Sequence, residues 1–289
     1  MLIGLRKRLR QNPFLWRNVL NREAVRAHSR RRFRLDDKLN PIVKALTRDG
    51  VVTTAASEVF SDAAIVDELR DQVATNLEIN THHGDCQSET KADDKPYMTF
   101  LLGQNPHYDP TSVYARFAIQ QPLLDIADAY FGMLTKVRYY NVWHNQATEK
   151  APTASQLWHR DREDLMILKV FVYLNDVTVE NGPFVYAPGT HLVGKSKVEP
   201  EFSIQSSVAR STDDQMSRVV PKHRWVQCLG RSGTVVFADT RGFHRGGLVE
   251  RGERLLFTCM FTSPSCQRNY FQYPSDRQAS SATEQRLLP

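Results

Sequence analysis

The chain has 289 residues, 41% of them hydrophobic and 24% charged, which is ample for a real core at an ordinary soluble level of charge. Collagen, coiled coil and wholly disordered chains are excluded, and no window approaches the roughly 18 consecutive apolar residues of a membrane span. The formal charge of +6 is unevenly placed: residues 1–34 hold eleven Lys or Arg and one acid, Glu23, leaving 27 basic against 31 acidic residues in the remainder. A nucleic-acid-binding body therefore loses its main support.

Residues 1–34 read as a basic amphipathic arm, with Leu2, Ile3, Leu5, Leu9, Phe14, Leu15, Trp16, Val19 and Leu20 set among arginines. Such an arm can lie on anionic lipid as a peripheral membrane contact, pack on the body, or serve as an organelle transit peptide. Residues 35–289 are expected to form the functional domain. In it, Leu39, Ile42, Val43 and Leu46 predict a helix that turns at Asp49-Gly50 into a strand from Val51. Ser61 and Asp62 start a second helix, along which Ile65, Leu69, Val73 and Leu77 recur on one face. A third is bracketed by Pro122 and Gly132.

Beyond Gly132 the pattern changes to short β-rich runs at Val137–Trp143, Met166–Leu174, Pro183–Tyr186, Thr234–Ala238 and Arg254–Thr262, with turn residues between them. Many short strands so punctuated predict a mainly β fold with flanking helices and a sandwich or jelly-roll core. The polar stretch from Lys195 to Lys222 reads as a surface excursion and a candidate lid. Four cysteines, Cys86, Cys228, Cys259 and Cys266, show no C-x-x-C spacing, which predicts neither a disulfide framework nor a zinc ribbon and makes a reducing compartment the default.

His-x-Asp occurs three times, where chance predicts about 0.6. His83-Gly84-Asp85 and His107-Tyr108-Asp109 lie among turn residues. A zinc site from His82, His83 and Cys86 would lack a fourth ligand. His159-Arg160-Asp161 instead precedes an apolar strand, and in extended backbone residues i and i+2 share a face, so both side chains can converge on one ion. His244, after the strand-like Gly233–Asp239 and a tight turn, supplies a third ligand from a segment remote in sequence. Two imidazoles and one carboxylate leave octahedral positions open, the arrangement of non-haem Fe(II) oxygenases. Arg254, heading its strand, can grip a carboxylate by two parallel hydrogen bonds, with Arg251 as competitor. His191 is expected to fix a turn, and Trp143, Trp158, Phe171 and Tyr173 to fill core, some of them lining a pocket.

The blocks Gln156–Asp161, Asn181–His191 and Gly233–Asp239 through His244 to Arg254 together resemble the phytanoyl-CoA dioxygenase family of Fe(II)/2-oxoglutarate oxygenases, over roughly residues 40–262. The resemblance implies a double-stranded β-helix, cupin-like core, with His159, Asp161 and His244 on iron and Arg254 on the 2-oxoglutarate C5 carboxylate. It further suggests that Asn141 and Asn145 face cosubstrate or substrate. Fe(II), 2-oxoglutarate and O2 are the implied cofactors, with ascorbate supportive. The implied reaction oxidises, above all hydroxylates, an aliphatic C–H of a small-molecule, natural-product or acyl substrate, releasing succinate and CO2. The alternative is a cupin-like binding or scaffold protein with a degenerate or zinc-occupied site. Two departures stand out: Gly246 replaces the hydroxyl residue that members often carry two positions after the distal histidine, and Arg254 lies one residue closer to His244 than the pattern leads one to expect. Substrate is expected to be read by loops and by the region Lys95–Phe117. A cytoplasmic location is expected, or an organellar one if the arm is a transit peptide.

Overall fold

In the computed structural model, residues 11–31, 34–62, 64–82, 91–92, 95–205, 208–274, 279 and 281–288 are described. A π-helical turn, Trp16–Leu20, leads into helix α1, Arg22–Arg30. Trp16 inserts into the main core at 3% exposure and its indole N–H donates to Asp164 Oδ1 at 2.7 Å. Helix α2, Asn40–Asp49, has a proline in its first turn and stops at Gly50, whose φ of 82° is the left-handed conformation that lets β1, Val51–Ala55, leave at once. Along α3, Ala64–His82, Leu69 and Val73 are buried while Ile65 and Leu77 pack partly against the same core. Helices α4, Val113–Ala118, and α5, Gln121–Phe131, follow, and Gly132 ends the latter.

The strands are β2 Lys91–Ala92, β3 Lys95–Phe100, β4 Lys136–Gln146, β5 Leu168–Tyr173, β6 Phe184–Tyr186, β7 Ser203–Gln205, β8 Val208–Arg210, β9 Val226–Cys228, β10 Thr234–Asp239, β11 His244–Gly246 and β12 Glu253–Thr262. They form a seven-stranded antiparallel sheet in the order β1-β10-β5-β12-β4-β3-β2, a three-stranded sheet β11-β6-β9, and a β7-β8 ribbon. The expected double-stranded β-helix, jelly-roll core is therefore corrected to a mixed α/β fold with open sheets. Among the described residues the large sheet ends in β1 on one side and β2 on the other, and neither edge pairs onward to close a barrel. Short β runs between turns announce strands but carry no information on whether the outer edges meet.

Alternation along the central strands explains the layering. On β12, Leu255, Phe257, Cys259 and Phe261 join the core that includes residues of the helices, whereas Leu256 turns to a second cluster with Phe184, Tyr186 and Cys228 of the small sheet. Strand β5 divides likewise, with Val170 and Val172 on one side and Phe171 and Tyr173 on the other. A register shift between Met260 and Phe261 opposite β4 lets both Val137 and Tyr140 face the helices. The cleft between the two sheets is where Arg254, Lys169 and the histidines gather. Replacing Trp16 with alanine should destabilise the fold by about 3–5 kcal/mol, by the cavity it leaves; a chemical denaturation series checks this, with a lowered midpoint as the expected outcome.

Candidate metal centre

His159 and His244 face each other across one antiparallel bridge: each backbone N–H donates to the other's carbonyl at 3.0 Å, and the rings stand 4.3 Å apart. Nδ1 of His159 lies 2.8 Å from Leu157 O, and Nδ1 of His244 lies 3.0 Å from Gly242 O. A carbonyl accepts only from a protonated nitrogen, so both rings carry their proton on Nδ1 and keep the Nε2 lone pair for a ligand. Asp161 is fixed by its N–H to Thr240 O at 2.9 Å and by Arg241 Nη1 donating to Asp161 O at 2.7 Å. Its Oδ1 is 3.9 Å from His159 Nε2 and its Oδ2 3.9 Å from His244 Nε2. One donor atom from each residue lies within 4.8 Å of the others, a spacing that a single ion can span.

The electrostatics favour a cation. Burial lowers the pKa of His159 well below its ordinary value, reinforced by His244 and the nearby Arg210 guanidinium; burial lowers that of His244 too. Both imidazoles are thus neutral ligands. Burial alone would raise Asp161, but Lys169 and the two histidines pull its carboxyl far below the usual range. Lys169 Nζ sits 2.7 Å from Asp161 Oδ2, and although burial works against the ammonium, Asp161 holds it charged. Two neutral nitrogens and one carboxylate suit ferrous iron with open positions, whereas structural zinc favours a fourth protein ligand. Among the described residues the cluster has these three.

Arg254 stands directly across β4 from Asn145 and donates through Nη2 to Asn145 Oδ1 at 3.1 Å. The guanidinium is 4% exposed, and its Nε and Nη1 meet no hydrogen-bond partner. Arg251, its competitor from sequence, is an exposed side chain 3.7 Å from Glu180. A Cβ on Gly246 would lie 3.5 Å from Arg254 Nη2 and 3.7 Å from Ser155 O, so the glycine leaves space beside the guanidinium.

The triad and Arg254 open on one cavity of about 580 Å³, whose apolar wall includes Tyr139, Trp143, Phe171 and Met260. Asn141 and Asn145 do not line it. Asn141 Nδ2 instead donates to Gly103 O at 2.7 Å, pinning the loop that brings Gln104 and Asn105 to the cavity, while Asn145 props Arg254. From the region Lys95–Phe117, the side chains of Lys95, Tyr97, Met98 and Phe100 also reach the cavity. Trp158 and Tyr173 are core, and Val208 and Arg210, from the excursion after Lys195, line a second cleft of about 400 Å³ that shares His159 and Asp161. Sequence reading missed Lys169, Glu163 and Ser155; the one available signal was a lone lysine in the apolar run Met166–Leu174.

His191, expected to fix a turn, holds the chain near Gly50. His191 Nε2 lies 3.3 Å from Thr47 O, buried beside the Gly50 turn. Asp109, in the second His-x-Asp, closes a turn by accepting from Thr111 N and Oγ1. His83 and Cys86 of the zinc alternative, and the side chain of His82, lie outside the described residues.

Residues 46–249 match the sequence model of the family described as phytanoyl-CoA dioxygenase (PhyH). The chain belongs to the phytanoyl-CoA dioxygenase family. With the His159, Asp161 and His244 triad in place, this family member is an Fe(II)/2-oxoglutarate-dependent oxidative enzyme. Among solved structures, the epimerase SnoN in complex with Fe3+, alpha ketoglutarate and nogalamycin RO is 19% identical with a TM-score of 0.56, covering 83% of this chain and 92% of its own. EctD from S. alaskensis with bound Fe is 17% identical with a TM-score of 0.57, over 85% of this chain and 84% of its own. AviO1 from Streptomyces viridochromogenes Tue57 is 17% identical with a TM-score of 0.55, over 81% of this chain and 98% of its own. At such identity the likeness shows a shared fold. No curated protein sequence matches significantly.

His159→Ala and His244→Ala should each reduce bound iron to background while the fold persists, because each removes one of three ligands. Metal analysis after dialysis, alongside the melting temperature, checks this.

Proposed function

We propose that this dioxygenase hydroxylates an aliphatic C–H of a small molecule, a natural-product intermediate or an acyl chain, with 2-oxoglutarate as cosubstrate. In the net reaction one O2 is consumed, one oxygen atom enters the substrate as hydroxyl, and the other enters succinate as 2-oxoglutarate loses CO2. The single observation that carries the reading is Arg254: a buried guanidinium with Nε and Nη1 unpartnered, opening on the cavity that holds the triad. A buried cation left in this way calls for an anion, and a carboxylate taking two parallel N–H bonds is the fitting one.

Iron and 2-oxoglutarate, when bound, supply the O2-dependent oxidation. The chain's residues orient and exclude water. His159, Asp161 and His244 would hold the metal, and Asn145 keeps Arg254 aimed. Tyr139, Trp143 and Phe171 give the substrate a dry apolar wall. Ascorbate supports turnover by keeping iron ferrous.

Incubation with Fe(II), ascorbate, 2-oxoglutarate and air should yield succinate even without substrate; none under these conditions favours the scaffold alternative. Arg254→Gln should raise the KM for 2-oxoglutarate about 30-fold, from loss of about 2 kcal/mol of charge-assisted hydrogen bonding. Steady-state succinate assays over a cosubstrate series read that shift, and an unchanged KM would remove Arg254 from the role.

A further inference from the structure

Lys169 occupies a place where alternation along β5 leads one to expect an apolar side chain. Phe171 and Tyr173, on the same face, are packed hydrophobics, and its cross-strand partners are Ala238 and Met260. The Lys169 side chain is nonetheless a cation only 13% exposed, with Nζ 2.7 Å from Asp161 Oδ2 and 6.0 Å from the centre of the Trp143 ring. Packing does not demand a charge there, since methionine has a similar length and would fill the space. Burying an ammonium is costly, so the contact it makes is the feature to explain.

Resting on the Fe(II)/2-oxoglutarate reading above, we infer that Lys169 is a positioning residue that restricts Asp161 to ligation through one oxygen. By engaging Oδ2 it leaves Oδ1 as the donor for the metal. An octahedral ion held by two imidazoles, one carboxylate oxygen and a chelating 2-oxo acid retains a single free position. A carboxylate that bound through both oxygens would fill that position and shut out O2. The ammonium also repels the divalent ion across the shared carboxylate, so Lys169 trades some metal affinity for an open coordination edge.

The test compares the full-length protein with Lys169→Met and Lys169→Arg. Metal-depleted protein is titrated with Co(II), followed by its visible absorption, and the Fe(II)/2-oxoglutarate form is titrated anaerobically with nitric oxide as an O2 surrogate, followed by electron paramagnetic resonance. Lys169→Met should bind Co(II) about tenfold more tightly, through loss of the like charge, and nitric oxide at least about tenfold more weakly. Lys169→Arg, which keeps the charge, should resemble the wild type in both. A merely structural lysine would lower the melting temperature and leave both titrations alone. Lys169→Gln, neutral and polar, makes the same comparison should the methionine variant not fold. Wild-type Co(II) and nitric oxide affinities in the neutral variant overturn the inference. Failure of the wild type itself to bind Co(II) instead overturns the metal-centre reading, and the role of Lys169 with it.

Discussion

The site depends on one cross-strand contact, the antiparallel bridge in which His159 and His244 exchange backbone hydrogen bonds at 3.0 Å. Backbone pairing, rather than side-chain chance, sets the two imidazoles 4.3 Å apart, and carbonyls within two residues of each ring fix its tautomer. Asp161 joins because its N–H caps Thr240, in the tight turn that leads from β10 to β11. Ligands from two segments distant in sequence, His159 with Asp161 and His244, are thereby tied together by main-chain bonds. Such a preformed face spares the ordering cost that a metal would otherwise have to offset.

The cleft between the sheets gathers opposite charges. The neutral imidazoles and Asp161 sit at the centre, Lys169 stands against the carboxylate, and Arg254 lies with Asn145 as its neutral companion. Had Asn145 been an acid, Arg254 would already possess its anion and could not take another. The choice of a neutral amide at that register position is what leaves the guanidinium available. Gly246 adds room at the same end, since a Cβ there would lie 3.5 Å from Arg254 Nη2.

Much of this was legible because it depends on short-range regularities. His159 and Asp161 are two residues apart in extended chain, Arg254 begins an apolar strand, and Gly50 and Gly132 close helices where periodicity stops. Sheet closure was not legible, since pairing of remote edges is a tertiary outcome: β1 borders β10 across more than half the chain, and the large sheet stays open. Asn141 and Asn145 illustrate a subtler limit. Position on a strand next to a motif predicts nearness, but hydrogen bonding decided that one pins the Gly103 loop and the other props Arg254. Lys169 could have been flagged, because a single cation within an apolar strand needs a buried partner; the partner itself required coordinates.

The most direct measurement of the central claim is the visible charge-transfer absorption of a 2-oxo acid chelated to ferrous iron, recorded without oxygen on the purified protein. The account predicts that adding Fe(II) and 2-oxoglutarate together produces the band, that either alone does not, and that its intensity saturates with one iron per chain. Iron that binds without generating the band when 2-oxoglutarate is present would contradict the claim that the triad and Arg254 form one cosubstrate-binding centre.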